Sequence, residues 1–247
     1  MDTAALTLRV YQRDEPCKAK IDLDNDEPQL TLLGYTDMKA SYASREHAAD
    51  AIVHISGIVV GLVAVTAMLV VAVCHLPLAS TATLAIYGSS MLAMFACSAS
   101  YHLIPSARCT GVLQRLDHAA IFLKIAGTYT PFAAIKIGGI AGFGLLGLVW
   151  LIAMLGAAGK LLLKSTWDRI AIPLYLILGW IGLAMLEPLM ASVTPTSIVL
   201  LGVGGLLYTV GVIFHVWRSL PYQKTIWHGF VLAGTGCHFG AVTNAMF

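Results

Sequence analysis

Residues 50–74 read DAIVHISGIVVGLVAVTAMLVVAVC. Past Asp50 this stretch holds no Asp, Glu, Lys or Arg, and it exceeds the roughly 20 apolar residues that a helix needs to cross a bilayer. In hydrocarbon every backbone N–H and C=O must be satisfied within the segment, so the stretch reads as a spanning helix. Six more apolar runs follow, at about 80–103, 116–137, 139–159, 169–187, 195–217 and 226–247. The breaks carry turn-forming or polar residues: His75-Leu76-Pro77, Pro105 to Arg108, Gly138-Gly139, Lys160 to Asp168, Pro188 to Pro195, and Arg218 to Pro221. The expected fold is all-α, a polytopic membrane protein of seven transmembrane helices.

Composition agrees. The 247 residues are 58% hydrophobic and 11% charged, where a soluble domain carries about 25% charged residues. A soluble globule, a disordered chain and a disulfide scaffold are excluded on these grounds. The charge is also concentrated: residues 1–49 hold 15 of the 28 charged side chains. Residues 1–44 therefore read as a polar, mostly disordered tail without an apolar run of signal-peptide length, and 45–247 as the membrane domain. Cys17, Cys74, Cys97, Cys109 and Cys237 lack metal or redox spacing and read as small buried packing residues. No basic stripe interleaved with aromatics exists, so nucleic acid is not an expected partner; membrane lipid is.

Charge bias orients the spans. With seven of them, 13 of the 15 Lys and Arg fall on the side of the tail, only Lys136 falls opposite, and Lys124 lies within a span. Positive residues stay inside, so the N-terminus is expected in the cytoplasm and Phe247 outside, in the cytoplasmic (inner) cell membrane. Small residues at helical spacing (Gly57/Gly61, Gly138/Gly142, Gly236/Gly240) suit close helix packing in lipid.

Ionisable groups inside a membrane are costly and mark function by default. Here they gather at one depth. Glu46, Asp50 and His54 are four apart on one face at the start of span one. Ser98 and His102 are four apart at the end of span two; Asp117 and His118 open span three, and His228 opens span seven. An up-and-down topology brings all of these to the cytoplasmic surface. Such a set suits a zinc ion, which takes imidazole and carboxylate ligands and acidifies its water to a pKa of about 7. It equally suits an interfacial role in which His and Asp cap helices. Lys124 lies two turns beyond Asp117, about 10 Å along the helix, and is expected to partner Asp117 or Ser98, or else backbone carbonyls freed near Pro131.

Several runs in order carry a family resemblance: Ser98-Ala-Ser-Tyr-His102, Leu116-Asp117-His118, Ala126-Gly-Thr-Tyr-Thr-Pro131-Phe132, Ile226-Trp-His228-Gly-Phe-Val and Cys237-His238-Phe239. Together they resemble the bacterial haemolysin III proteins, which group with the adiponectin and progestin receptors and more distantly with alkaline ceramidases. Glu46, Asp50 and His54 resemble that family's Glu/Asn/His opening of span one. The resemblance covers about 45–247 and implies seven helices with the N-terminus inside. It also implies a zinc held by a span-two His and two span-seven His four apart, with Ser and Asp nearby. Ser98, His102, Asp117 and His228 match. The first His of the span-seven pair falls on Lys224, which as an ammonium has no lone pair for a metal. His238 matches a further family His but stands about 15 Å along the helix from His228.

The implied site is therefore His102 and His228 with one imidazole missing. Asp117, His118 or His54 could complete it, or Lys224 could supply positive charge in a site without metal. The family link implies a metal-dependent hydrolase of a lipid amide or ester, with Asp117 handling the proton and Ser98 holding water or oxyanion. The alternatives are a cytolytic, pore-forming protein and a non-catalytic, receptor-like protein of membrane homeostasis.

Overall fold

The computed structural model describes residues 7–12, 15–20, 28–104, 108–163 and 166–247, with side chains described only within 44–104, 108–163 and 170–247. The chain divides into two units, Met1–Ala48 and Ala49–Phe247. Where a disordered tail is expected, the first unit holds two antiparallel strands, β1 (Thr7–Gln12) and β2 (Glu15–Lys20), registered from Thr7↔Lys20 to Gln12↔Glu15. Leu8 and Val10 alternate with polar neighbours in β1, the period-2 pattern that suits a ribbon.

The described residues of the second unit form helices joined by short turns. Helix α1 runs Pro28–His75, α2 Leu78–Leu103 and α3 Thr110–Pro131. They are followed by α4 (Gly139–Leu162), α5 (Thr166–Trp180), α6 (Leu186–Ser192), α7 (Pro195–Val216) and α8 (Gln223–Met246). Six stretches are long and apolar enough to cross a membrane: Ser44–His75, Leu78–Leu103, Thr110–Ile137, Gly139–Leu162, Ile170–Ser192 and Pro195–Val216. Helix α8 matches them in length, but Lys224, His228, Thr235, His238 and Asn244 lower its mean hydropathy. Of these, His228 and Thr235 are buried in the bundle.

Two breaks follow from local chemistry. After Pro131, which cannot donate a backbone hydrogen bond, the chain widens into a π-helical turn, Phe132–Ile137. Gly138 (φ 61°) and Gly139 (φ 57°) then reverse it through the left-handed region that glycine enters without penalty. The division between the third and fourth apolar runs is thus real. The break expected from Pro188 to Pro195 narrows to Val193–Thr194. After a 3₁₀ turn, Ile181–Met185, helix α6 continues the span to Ser192. Pro188 sits in the first turn of α6, where a missing N–H costs nothing. The true turn is at Thr194, whose hydroxyl accepts from the Ser197 amide with Pro195 in the first turn.

Lipid chains are as apolar as leucine, so helix association rests on close packing rather than on the hydrophobic effect. One core joins α1, α2 and α8 through Val65, Met68, Leu84, Met91, Phe95 and Val242. A second joins α3, α4 and α5 through Phe122, Leu145, Val149, Ala153 and Leu178. Of the six glycines expected at close contacts, Gly57, Gly61, Gly142 and Gly240 pack against a neighbour, and further close approaches fall on others. A Cβ on Gly88 would stand 2.6 Å from Val65, and one on Gly156 2.5 Å from the Phe122 ring. Gly61 does pack, against Phe95, and Gly142 against the Ala133 carbonyl, but Gly236 and Gly138 face open space. Of the described cysteines, Cys74 and Cys109 are exposed and Cys97 and Cys237 half-buried, so none is the buried packing residue expected.

Candidate metal centre

Four side chains from three helices meet where α1 enters the membrane unit, α2 ends and α8 begins. Asp50 and His54 come from α1, one turn apart on one face. His102 comes from the last turn of α2 and His228 from the second turn of α8. The Asp50 carboxylate is central. Its Oδ1 accepts from His228 Nδ1 at 2.6 Å, while its Oδ2 lies 3.5 Å from His102 Nδ1 and 3.6 Å from His54 Nε2. The rings stand close, with centroids 5.1 Å apart for His54–His102, 4.3 Å for His54–His228 and 4.5 Å for His102–His228. One nitrogen from each of the three lies within 4.8 Å of the others, close enough to share an ion.

The donor set fits a metal. Because Nδ1–H of His228 is held by a carboxylate, its Nε2 is left with a lone pair, the arrangement in which a carboxylate fixes the tautomer and orientation of a metal-binding imidazole. Nε2 of His54 is buried and has no hydrogen-bond partner. Buried polar atoms are almost always satisfied, and at 3.6 Å Asp50 closes no hydrogen bond to this nitrogen, so its place in a group of three imidazoles points to a ligand.

The remaining expected residues divide into those beside the centre and those turned away. Asp117 on α3 is buried and hydrogen-bonded by Ser98 of α2, within electrostatic reach of His228, His54 and Asp50. It stands next to the three-imidazole group and is not a member of it. Glu46 is half-buried one turn before Asp50. His118 is turned away: its Nδ1 lies 3.1 Å from Lys160 Nζ, and its carbonyl accepts from Tyr175. Lys124 meets neither Asp117 nor Ser98. It donates to Tyr208 Oη at 2.7 Å and lies 3.4 Å from His238 Nδ1, so His238 belongs to a second cluster.

Lys224 is exposed and makes no ion pair with Asp117 among the described contacts. Its stem carries the charge outward, as long basic side chains do at a membrane edge. The third imidazole of the group that could hold an ion is that of His54. The four-residue spacing of Asp50 and His54 was the signal for this pair, but spacing alone could not rank His54 above Asp117 or His118.

Comparison with known proteins assigns the chain to a family. The family model described as "Haemolysin-III related" matches residues 43–239. The chain is 34% identical over 201 residues to "Hemolysin-3 homolog" of Bacillus subtilis (strain 168), covering 81% of this chain and 94% of that one. It is 34% identical over 198 residues to "Hemolysin-3" of Bacillus cereus, covering 80% and 90%. A more distant relative is "Monocyte to macrophage differentiation factor" of Homo sapiens, 23% identical over 170 residues, with 66% of this chain and 69% of that one covered. No solved structure matches the chain.

Proposed function

Because the chain belongs to the haemolysin-III related family, we propose that it is a seven-span membrane hydrolase that holds zinc between His54, His102 and His228 and cleaves an amide or ester of a membrane lipid. The observation that carries the reading is the buried Nε2 of His54, which makes no hydrogen bond and lies 3.6 Å from the Asp50 carboxylate in a group of three imidazoles. Imidazole suits zinc, and zinc in such a set supplies Lewis acidity and a water acidified to a pKa of about 7. Asp50 orients His228 and gathers the other rings. Asp117, steadied by the Ser98 hydroxyl, is placed to take a proton from the attacking water and return it to the leaving group. The bundle's apolar flanks admit lipid from the side.

Purified protein should contain about one zinc per chain and release fatty acid from a lipid amide or ester. It should lose both properties after chelation and regain both on adding zinc. Zinc bound without any hydrolysis would leave a receptor-like, structural metal. The name of the Bacillus cereus relative supports a second reading, lysis, which the same preparation tests by dye release from vesicles.

The seven-span reading includes α8 and places the tail in the cytoplasm, in the cell (inner) membrane. A reporter fused after Phe247 is expected to read external and one inserted at Lys164 cytoplasmic. Both on one side would reduce the count to six.

A further inference from the structure

The run Ala126-Gly-Thr-Tyr-Thr-Pro131-Phe132 takes no part in the metal centre. Its side chains tie α3 to its neighbours instead. Thr130 donates to the Ala126 carbonyl at 2.9 Å and accepts from Trp150 of α4 at 3.1 Å. Tyr129 reaches the fifth span at the point where α5 gives way to the 3₁₀ turn Ile181–Met185. Its hydroxyl donates to the Gly179 carbonyl at 2.7 Å and accepts from the Gly182 amide at 2.9 Å. One side chain thus serves backbone groups on both sides of the break.

Backbone groups freed in hydrocarbon need a partner from a neighbouring helix, and a side chain inserted into the helical ladder is one of the few causes of a sharp bend. The fit is specific to glycine. A Cβ on Gly182 would stand 2.8 Å from the Tyr129 ring and 3.0 Å from its hydroxyl, whereas one on Gly179 would meet nothing within 4 Å.

Beyond the break the span is lightly held. Helix α5 is anchored by the buried Ala171 and Leu178, and Trp180 at its end donates from Nε1 to Thr209 of α7 at 3.1 Å. No residue of the 3₁₀ turn or of α6 is buried; Ile181, Met185 and Leu189 pack partly buried against the two cores. Among the described residues, the one hydrogen bond from Ile181–Ser192 to another helix is that of Gly182 to Tyr129. Segments with few buried contacts open at low free energy, and a 3₁₀ stretch within a helix is a common place for a hinge.

We propose that the turn Ile181–Met185 is a hinge and that the Tyr129 hydroxyl is its latch. Latched, the phenol sits in the ladder and the span is bent. Released, α5 and α6 join in one continuous helix: the Gly182 amide turns to the Leu178 carbonyl and the Gly179 carbonyl to the Leu183 amide, each four residues away. The end of α5 stays pinned to α7, so the movement falls on α6. The inference is independent of the metal and of hydrolysis.

The test is a distance distribution by electron–electron resonance on the full chain. Spin labels are carried on ketone-bearing amino acids at the exposed positions Met190 of α6 and Leu151 of α4, which leaves the native cysteines untouched. Tyr129→Phe, which removes both hydrogen bonds, and Gly182→Ala, whose methyl excludes the phenol, are expected to move the distribution in the same direction. Each should change the ratio of bent to straight by about tenfold. Gly179→Ala adds the same helix propensity without the clash and should keep the wild-type distribution. A wild-type distribution in Tyr129→Phe would overturn the latch. So would equal shifts in Gly179→Ala and Gly182→Ala, which would assign the effect to helix propensity alone. If Tyr129→Phe does not fold, the comparison of the two glycine variants decides.

Discussion

Replacing His228 with alanine is expected to lower zinc affinity by at least about 100-fold and to leave purified protein nearly metal-free. His228 is the ring most firmly set, because its Nδ1 is held at 2.6 Å by Asp50 while its ring centroid stands 4.3 Å from that of His54 and 4.5 Å from that of His102. Two imidazoles remain after the change, and the carboxylate loses the ring it grips. Measured in the same titration, His238→Ala should retain metal, since that ring is engaged with Lys124. Lys224→His is the sharper comparison. On the sequence alone a histidine there restores a missing ligand and should tighten binding; with His54 already in place and Lys224 exposed, it should change affinity little. Retention of about one zinc by His228→Ala would sink the assignment.

The second large effect is expected from Asp50→Asn. The amide keeps the shape and can still accept from His228, but the negative charge that gathers three imidazoles is gone. Removing such an outer partner typically costs about 10–100-fold in metal affinity, measurable by competition with a chromophoric chelator. Asp117→Asn, in parallel, should leave affinity within a few-fold while hydrolysis falls, because Asp117 lies beside the group and acts on the proton. Should the two variants exchange behaviours, Asp117 is the carboxylate that serves the metal and Asp50 the one that serves the reaction.

The three histidines illustrate how far a linear reading reaches. His102 and His228 were legible from the motifs around them. So was the neighbourhood of Ser98 and Asp117, since up-and-down helices return their ends to one depth. The third imidazole was not. Asp117, His118 and His54 all sit at that depth, and choosing among them depends on how each helix is rotated about its own axis. Helix α3 turns His118 toward Lys160 on α4 and Asp117 toward Ser98 on α2. Adjacent residues on a helix point about 100° apart, so one of the pair had to leave.

By itself the sequence determined that this chain is a helical membrane protein, where most of its apolar runs begin and end, that Gly138-Gly139 reverses the chain, and that Asp50 and His54 share a face. Each of these is a local property, governed by hydrophobic length, backbone freedom and the helical repeat. Tertiary structure alone decided which of the eight histidines meet, that Lys124 pairs with Tyr208 and His238 rather than with Asp117, and that the fifth span runs through Pro188. The rotation and spacing of each helix come from close contacts between segments far apart in the chain, such as Gly61 on Phe95, Gly88 on Val65 and Gly204 on His238. Helical periodicity sets which residues share a face, whereas the neighbour that the face meets is chosen by packing.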